Sequence, residues 1–411
     1  MGDAEVGVSE RAITEVRPTL AFLPWCRLAD ELVAGPTRLV PYRRNRPDLP
    51  GIDRRPEADA VASVLAMYRD LHGEPVSRLT LVHLDGQPLL APLDAEARAT
   101  INDWVKLVAF AALAGRDLLE PSGYVNAAQF ALRFQEIVLD AGGEMTHLRR
   151  DVRTKYGGVK DARQIDGLQI GVPEQAESLE PVRPDRPLLA AIGRLKQNSD
   201  VVTWERWMDA LVYFVEANTD SQDAAGVPQR VDHLLLASSF EALFDTRSER
   251  YKAEALSEAI DTLLGSFLNL DSRIQLCKSP RYSDATKEAY GRQTHVARAW
   301  AKELYFIRND YGHGRRAATR DVGWSRREHE ILGAIAFPLF VRKLLADAGH
   351  LRLDSRHRGN LAALEQAMAA PYAEWAALFS EARREENLAD MGRALREIEE
   401  RRAGTSKHDD D

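Results

Sequence analysis

Residues 303–316 read ELYFIRNDYGHGRR, and this stretch decides how the second half of the chain is interpreted. It continues a helical pattern whose apolar residues recur every three or four positions: Val296, Trp300, Leu304, Ile307 and Tyr311. The pattern ends at GHG, with Arg308, Asn309, Asp310 and His313 within six residues. This combination indicates either a solvated helix end or a site that handles phosphate.

Helix geometry favours a shared site for these side chains. Asn309 and His313 are four residues apart and lie on one face if the helix persists. Arg308 follows Ile307 at the edge of the apolar face, from which its long side chain reaches the Asn309 and His313 face. Two glycines flank His313 and let backbone or substrate come close, and Arg315 and Arg316 add positive charge.

The sequence around the motif predicts an all-α bundle of about five helices over residues 186–349. One helix is marked by Trp204, Trp207, Leu211 and Phe214, a second runs from Pro228 through VDHLLLASSFEALFD, and a third covers residues 251–267. The fourth runs from about residue 286 into the motif. The fifth begins at a capping box, Ser325 with Glu328, contains Pro338 as a kink and stops at Gly349.

Residues 1–185 predict a mixed α/β domain. Apolar runs on either side of Asp85-Gly86 predict a β-hairpin over residues 78–93, and Asp94 opens a helix that stops at Gly115. Residues 127–140 fit strand or helix. Residues 156–187, rich in glycine, proline and charge, predict a long surface loop or interdomain connection.

Residues 350–411 predict a charged helical tail with a disordered end. Its main segment, residues 372–402, is one amphipathic helix or a pair of helices. Two readings remain open for this segment: packing against the bundle, or contact with a partner or a second copy.

Composition sets further limits. The longest apolar runs, residues 107–114 and 331–341, are well below the roughly 20 residues that span a bilayer. The acidic amino terminus, MGDAEVGVSE, differs from a signal peptide, so we expect a cytoplasmic protein with no membrane contact. Two cysteines, Cys26 and Cys277, exclude a disulfide framework and a cysteine-based zinc site. A net charge of −8 means that any nucleic-acid contact comes from a local basic patch.

An arginine five positions before a histidine is not distinctive by itself, because the spacing occurs three times: Arg78/His83, Arg308/His313 and Arg352/His357. Only the second follows the arginine with a polar residue, ends an apolar-faced helix inside a predicted bundle and continues into HGRR. Context therefore singles out residues 308–313.

In that context, AKELYFIRNDYGHGRR resembles the carboxy-terminal motif of the HEPN domain superfamily, in particular its ApeA-like branch, in which an arginine, a polar residue, a short spacing and a histidine are followed by glycine. The upstream segment HLLLASSFEALFD, residues 233–245, resembles an early helix of that branch and places Glu241 at a matching position. With the helix order, the resemblance covers about residues 190–348 and leaves the first 185 residues and the tail uncovered.

The resemblance implies a mainly α fold with a HEPN-like helical bundle, and a metal-independent endoribonuclease that needs no cofactor and acts as a homodimer through the bundle. Arg308, His313 and Asn309 are the implied catalytic residues, and Arg315, Arg316, Asp310 and Glu241 the implied substrate-binding residues, with Glu241 expected to pair with Arg308. It further implies a defence or toxin-like effector whose amino-terminal domain senses a trigger or partner protein.

The residue chemistry agrees with this implication. RNA carries its own nucleophile, the 2′-hydroxyl, beside the phosphate, so an enzyme need only move protons and stabilise charge on the phosphoryl oxygens. His313 suits acid or base catalysis near neutral pH, and Arg308 offers a charged fork to two phosphate oxygens. Asn309 would orient the arginine or a substrate oxygen, whereas Asp310 would orient the arginine or repel RNA. The alternatives are a non-catalytic HEPN module that binds RNA, nucleotide or a partner protein, and a purely structural dimerisation bundle.

Overall fold

The structure is a computed structural model of the chain. It describes residues 18–44, 55–70, 72–116, 118–119, 125–139, 145–153, 159–163, 170–171, 180–219, 227–268, 295–314 and 323–405. The predicted disordered end, GTSKHDDD, covers residues 404–411: residues 404 and 405 belong instead to the last helix, and residues 406–411 lie outside these ranges. The predicted start of the motif helix near residue 286 also lies outside them.

A small antiparallel sheet forms in the first part of the chain. Its strands are β1 (Thr19–Leu23), β2 (Leu32–Ala34), β3 (Thr37–Arg43), β5 (Arg78–Leu84), β6 (Arg133–Leu139), β7 (Met145–Arg153) and β8 (Val159–Arg163). Their order in the sheet is β2-β3-β5-β1-β6-β7-β8. Strands β4 (Tyr68–Arg69) and β9 (Ile170–Gly171) form a separate parallel pair. Strand β1 lies at the centre of the sheet, between β5 and β6, and all of its residues are buried.

The predicted hairpin over residues 78–93 is wrong. Strand β5 ends at Leu84 and pairs with β3 and β1, while the residues after Gly86 form no strand. Pro88 and Pro92 explain the failure, because a proline has no N–H to donate to a ladder. The apolar run after the turn instead contributes buried side chains, Leu89 among them.

The predicted loop over residues 156–187 is also wrong in part, since β8 and β9 lie within it. Strand β8 stands at the edge of the sheet, and its sequence, VKDAR, is charged as edge strands often are. Such a strand shows no apolar alternation in the sequence. The ambiguous stretch 127–140 resolves into a 3₁₀ turn, Ala127–Phe130, followed by β6.

The described part of the chain contains ten α-helices: α1 (Arg55–Leu65), α2 (Ala95–Gly115), α3 (Arg186–Asn198), α4 (Val201–Ala217), α5 (Val227–Leu243), α6 (Lys252–Leu264), α7 (Val296–Gly312), α8 (Arg326–Asp347), α9 (Ser355–Ala369) and α10 (Trp375–Thr405). The prediction of a mainly helical chain with strands near its start is confirmed. The finer prediction, a HEPN-like bundle, stays a prediction.

The contacts divide the chain into two compact units. The first comprises residues 1–104 and 131–172, and the second comprises residues 105–130 and 173–411. The boundary falls within α2, so the second half of this helix belongs to the second unit, which we call the helical unit. The segment 350–411 belongs to the same unit.

Aromatic packing forms the core of the helical unit. Phe214 of α4 stacks on Phe337 of α8 with ring centroids 4.6 Å apart, and Phe110 of α2 and Phe240 of α5 meet Phe337 edge-on. Edge-to-face and offset-stacked aromatic pairs add stabilisation beyond their buried area. The side chain of Phe337 therefore forms a common contact for α2, α4, α5 and α8 in this core.

Local signals predicted three helix ends correctly. Ser325 and Glu328 form the predicted capping box at the start of α8, and Asp94 caps α2 by accepting the N–H of Ala97 at 2.8 Å. At the other end of α8, Gly349 has a φ of +75°, a conformation that suits glycine and ends the helix. Pro338 lies inside α8.

Within the tail, α10 packs against α9 and buries side chains of its first turns, while the reading of residues 372–402 as a partner or second-copy contact stays open. Trp375 and Phe379 of α10 are buried, and Arg358 of α9 bridges to Glu386 and Asp390 of α10 at 3.1 and 2.7 Å. A Cβ on Gly359 would lie 2.7 Å from the carbonyl oxygen of Ala382, so this glycine lets the two helices approach closely.

None of the helices in the described ranges combines the length and the hydrophobicity that crossing a membrane requires.

Candidate functional site

Helix α7 carries the motif to the surface of the helical unit. Trp300, Leu304 and Ile307 are buried on one face, which fixes the rotation of the helix. Arg308 and Asn309 are consequently half-buried at the edge of that face, and His313 is exposed at the helix end. The helix stops there because Gly314 adopts a φ of +67°, which no longer continues the α-helical spiral.

Glu241 of α5 faces Arg308 of α7. The carboxylate oxygen Oε1 lies 3.2 Å from Nε of the guanidinium, and the Glu241 side chain is only 3% exposed against 30% for Arg308. Neither atom meets the angular requirement of a hydrogen bond, so the contact is an ion pair without aligned donor geometry. The predicted pairing of these two residues is confirmed. It links the two sequence segments that carry the resemblance.

Two neighbours on α7 also hold the Arg308 guanidinium. Its Nη1 donates to Oδ1 of Asn309 at 3.1 Å, so Asn309 orients the arginine as predicted. Cζ lies 5.8 Å from the ring centroid of Tyr305, one turn earlier, in a cation–π arrangement. The sequence analysis missed Tyr305, although its position three residues before Arg308 could have identified it.

His313 is the C-cap of α7 and keeps the helical hydrogen bond to Asn309. Its backbone N–H donates to the Asn309 carbonyl oxygen at 3.0 Å, with φ of −95° and ψ of 10°. The predicted i, i+4 relation of Asn309 and His313 therefore persists to the last turn. The imidazole is exposed and makes no hydrogen bond within the part of the chain that the structure describes.

The remaining predicted site residues fall into two groups. Asp310, a predicted substrate-binding residue, is buried, with 8% of its surface exposed. Arg315 and Arg316 lie outside the described residues, and their predicted role in substrate binding stays a prediction.

A buried polar cluster beneath the motif was not predicted. Glu303 of α7 has a fully buried carboxylate that accepts the backbone N–H groups of Gly323 and Trp324 at 2.9 and 3.0 Å. The same carboxylate contacts Nε2 of His329, also fully buried, at 3.0 Å. Because a buried carboxylate requires partners, these contacts fix the segment before α8 to α7. No sequence signal distinguishes Glu303 from a solvated glutamate.

His233 of α5 extends this cluster toward the motif. Its Nε2 lies 3.3 Å from the carbonyl oxygen of Leu304, and its ring meets Tyr311 and His329 edge-on. Burial lowers the pKa of His233 to about 3, with smaller contributions from His329 and Arg326, against hydrogen bonding to Leu304. The imidazole is therefore neutral near pH 7, and its Nε2–H donates to Leu304.

The arrangement can bind a phosphate group and transfer a proton beside it. Arg308 supplies a permanent, oriented charge, and His313 supplies an exposed imidazole within five residues of it. As to metals, no group of three histidine, cysteine, aspartate or glutamate side chains in the described ranges is arranged to hold an ion.

Comparison with known proteins adds no relative: the chain matches no protein-family model, no curated protein and no solved structure.

Proposed function

We propose that the chain is a metal-independent endoribonuclease of HEPN type. The observation that carries the proposal is the fixed arginine at the end of α7. Arg308 is held by the buried Glu241 and by Asn309, one turn before the exposed His313. The pairing of Glu241 with Arg308 supports the resemblance, because the two residues come from the two separate segments on which it was based.

In this proposal Arg308 binds the phosphate at which the RNA strand breaks. Glu241 and Asn309 engage Nε and Nη1, and 30% of the arginine side chain remains open to solvent. An oriented guanidinium loses little freedom when it binds phosphoryl oxygens and stabilises the charge that develops on them in the transition state. Glu241 and Asn309 then act as positioning residues.

His313 moves the protons of the reaction. A base takes the proton of the 2′-hydroxyl, whose oxygen attacks the adjacent phosphorus. The bond from phosphorus to the 5′-oxygen breaks, and an acid protonates that oxygen. The products are a 2′,3′-cyclic phosphate and a free 5′-hydroxyl. An exposed imidazole suits either proton transfer, worth roughly 10²–10⁴ in rate.

One imidazole cannot be acid and base at the same moment, which favours a second motif beside the first. We therefore include in the proposal a homodimer formed through the helical unit, with the two His313 side chains facing one substrate. The exposure of His313 supports this arrangement, since a buried histidine could not meet a partner chain. The defence or toxin-like role, and a trigger or partner protein sensed by the sheet-containing unit, belong to the proposal as well.

The test compares cleavage and binding in the same samples. Labelled single-stranded RNA is incubated, with excess EDTA, with wild-type protein, with His313→Ala and with His72→Ala, a control at an exposed histidine of the first unit. The proposal predicts cleavage by wild type and by His72→Ala, and RNA binding without cleavage by His313→Ala. Equal cleavage by all three would refute the role of His313. Binding without cleavage by all three would favour a non-catalytic module.

A further inference from the structure

A cavity of about 320 Å³ lies within the helical unit, away from the residues of the motif. It is enclosed by the end of α2, the segment before α3, the middle of α8, the start of α9 and the first turns of α10. Its volume is at the lower end of the range of about 300–1,000 Å³ in which proteins hold small organic ligands.

The lining combines an apolar floor with a cationic mouth. The apolar side chains include Leu113, Pro338, Leu339 and Phe379, all buried. Five arginines also line the cavity: Arg116, Arg183, Arg342, Arg356 and Arg383. Arg183 and Arg356 are exposed, which places positive charge where the cavity opens to solvent.

The two lining carboxylates are already engaged. Asp185 accepts the N–H of Leu188 at the start of α3 and pairs with Arg342 at 2.6 Å. Asp354 caps α9 and contacts Nδ1 of His357. Among the lining residues that the structure describes, the five arginines outnumber the two aspartates. A lining rich in arginine favours an anionic group, and the planar guanidinium fork matches the oxygens of a phosphate monoester.

Two lining groups, Arg183 and Asn360, have polar atoms without a partner among the described residues, and His357 contributes a second acceptor. The Arg183 guanidinium makes no ion pair, and Oδ1 of Asn360 is buried without a hydrogen bond. His357 is neutral near pH 7, because burial and the charge of Arg342 lower its pKa against the opposing effect of Asp354. Its Nδ1–H donates to Asp354, so its Nε2 is an acceptor. The cavity thus offers a cation at its mouth and two acceptors within.

We propose that this cavity binds a mononucleotide whose base carries an exocyclic amino group. The phosphate accepts hydrogen bonds from Arg183 and Arg356, the base lies against the apolar floor, and the amino group donates to Asn360 Oδ1. This site is independent of the ribonuclease proposal and is tested separately from it.

The experiment is isothermal titration calorimetry on the full chain at low ionic strength, with AMP, CMP, UMP, adenosine and inorganic phosphate as probes. We expect saturable binding of AMP and CMP, and at least about tenfold weaker binding of adenosine and of inorganic phosphate, since each lacks half of the contacts. CMP and UMP have the same size, but only cytosine carries the amino group. CMP therefore binds more tightly, and Asn360→Leu abolishes this preference.

Two variants and a control locate the site. Arg183→Ala and Arg356→Ala each weaken AMP binding by about tenfold, the loss expected for one charge-assisted contact. Arg384→Ala, an exposed arginine beside Arg383 that does not line the cavity, leaves AMP binding unchanged. Failure of AMP and CMP to bind, equal binding of CMP and UMP, or an equal loss in Arg384→Ala would each overturn the proposal.

Discussion

The ion pair between Glu241 and Arg308 gives the most specific energetic prediction. At 3.2 Å and an effective dielectric constant of about 20, Coulomb's law gives roughly 5 kcal/mol of attraction before desolvation. Removing Glu241 from water offsets much of this energy, solvent screens the partly exposed Arg308, and the hydrogen-bond geometry is poor. We expect a net coupling energy of about 1–2 kcal/mol.

The single substitutions should differ in a defined direction. Arg308→Gln leaves a carboxylate that is 3% exposed without its counter-charge, at a cost of about 2–4 kcal/mol in unfolding free energy. Glu241→Gln leaves an arginine that still reaches water, so the cost is about 1–2 kcal/mol. We therefore expect Arg308→Gln to lower the unfolding free energy more than Glu241→Gln, although Arg308 is the more exposed partner.

Urea unfolding of wild type, both single variants and the double variant forms a double-mutant cycle, which gives the coupling energy. A matched cycle at the exposed pair of Arg247 and Asp209, 2.9 Å apart, serves as the control and should give less than about 1 kcal/mol. Two results would contradict this prediction: a coupling energy at Glu241 and Arg308 no larger than in the control, or a greater loss for Glu241→Gln than for Arg308→Gln.

Three further predictions concern the surroundings of the motif. Glu303→Gln replaces a fully buried carboxylate, which accepts two backbone N–H groups, with an amide that has only one acceptor oxygen. The substitution should lower the unfolding free energy measured in urea by about 2–4 kcal/mol. An unchanged value would show that Glu303 does not anchor the segment before α8. His233 has a pKa of about 3 in the folded state and about 6.5 in the unfolded state, so below pH 6.5 the unfolded state binds more protons. The unfolding free energy therefore decreases as the pH is lowered, by up to about 1.4 kcal/mol per pH unit. His233→Gln should remove that part of the slope between pH 7.5 and 5, and an identical slope in the variant would contradict it. Ser325→Ala removes the cap of α8 and should cost about 1 kcal/mol by the same urea measurement, whereas Ser380→Ala, a mid-helix control, should cost less.

Local sequence signals sufficed where short-range physics determines the structure. The capping box of Ser325 and Glu328, the cap at Asp94 and the glycine at 349 each depend on neighbouring residues, and the structure contains all three features. The apolar periodicity of α7 correctly placed its buried face, because a 3.6-residue repeat fixes which side chains share a face.

Features that depend on distant partners were predicted less well. The hairpin after Arg78 failed because strand β5 pairs with β1 and β3, which lie far from it in sequence. Strand β8 was missed because an edge strand can be charged throughout. In the site, Glu241 was found through the resemblance, whereas Glu303 and His329 meet only in the folded chain and leave no periodic or motif-like signal.

In the proposed reaction, RNA supplies the nucleophile, its own 2′-hydroxyl, and His313 moves the proton. The most direct measurement uses wild-type protein, excess EDTA, and two otherwise identical single-stranded RNAs, one carrying a 2′-deoxy nucleotide at the cleaved position. We expect 2′,3′-cyclic phosphate and 5′-hydroxyl ends from the all-RNA strand, with no cleavage at the deoxy position. Cleavage at the deoxy position, or products ending in a 5′-phosphate, would contradict it.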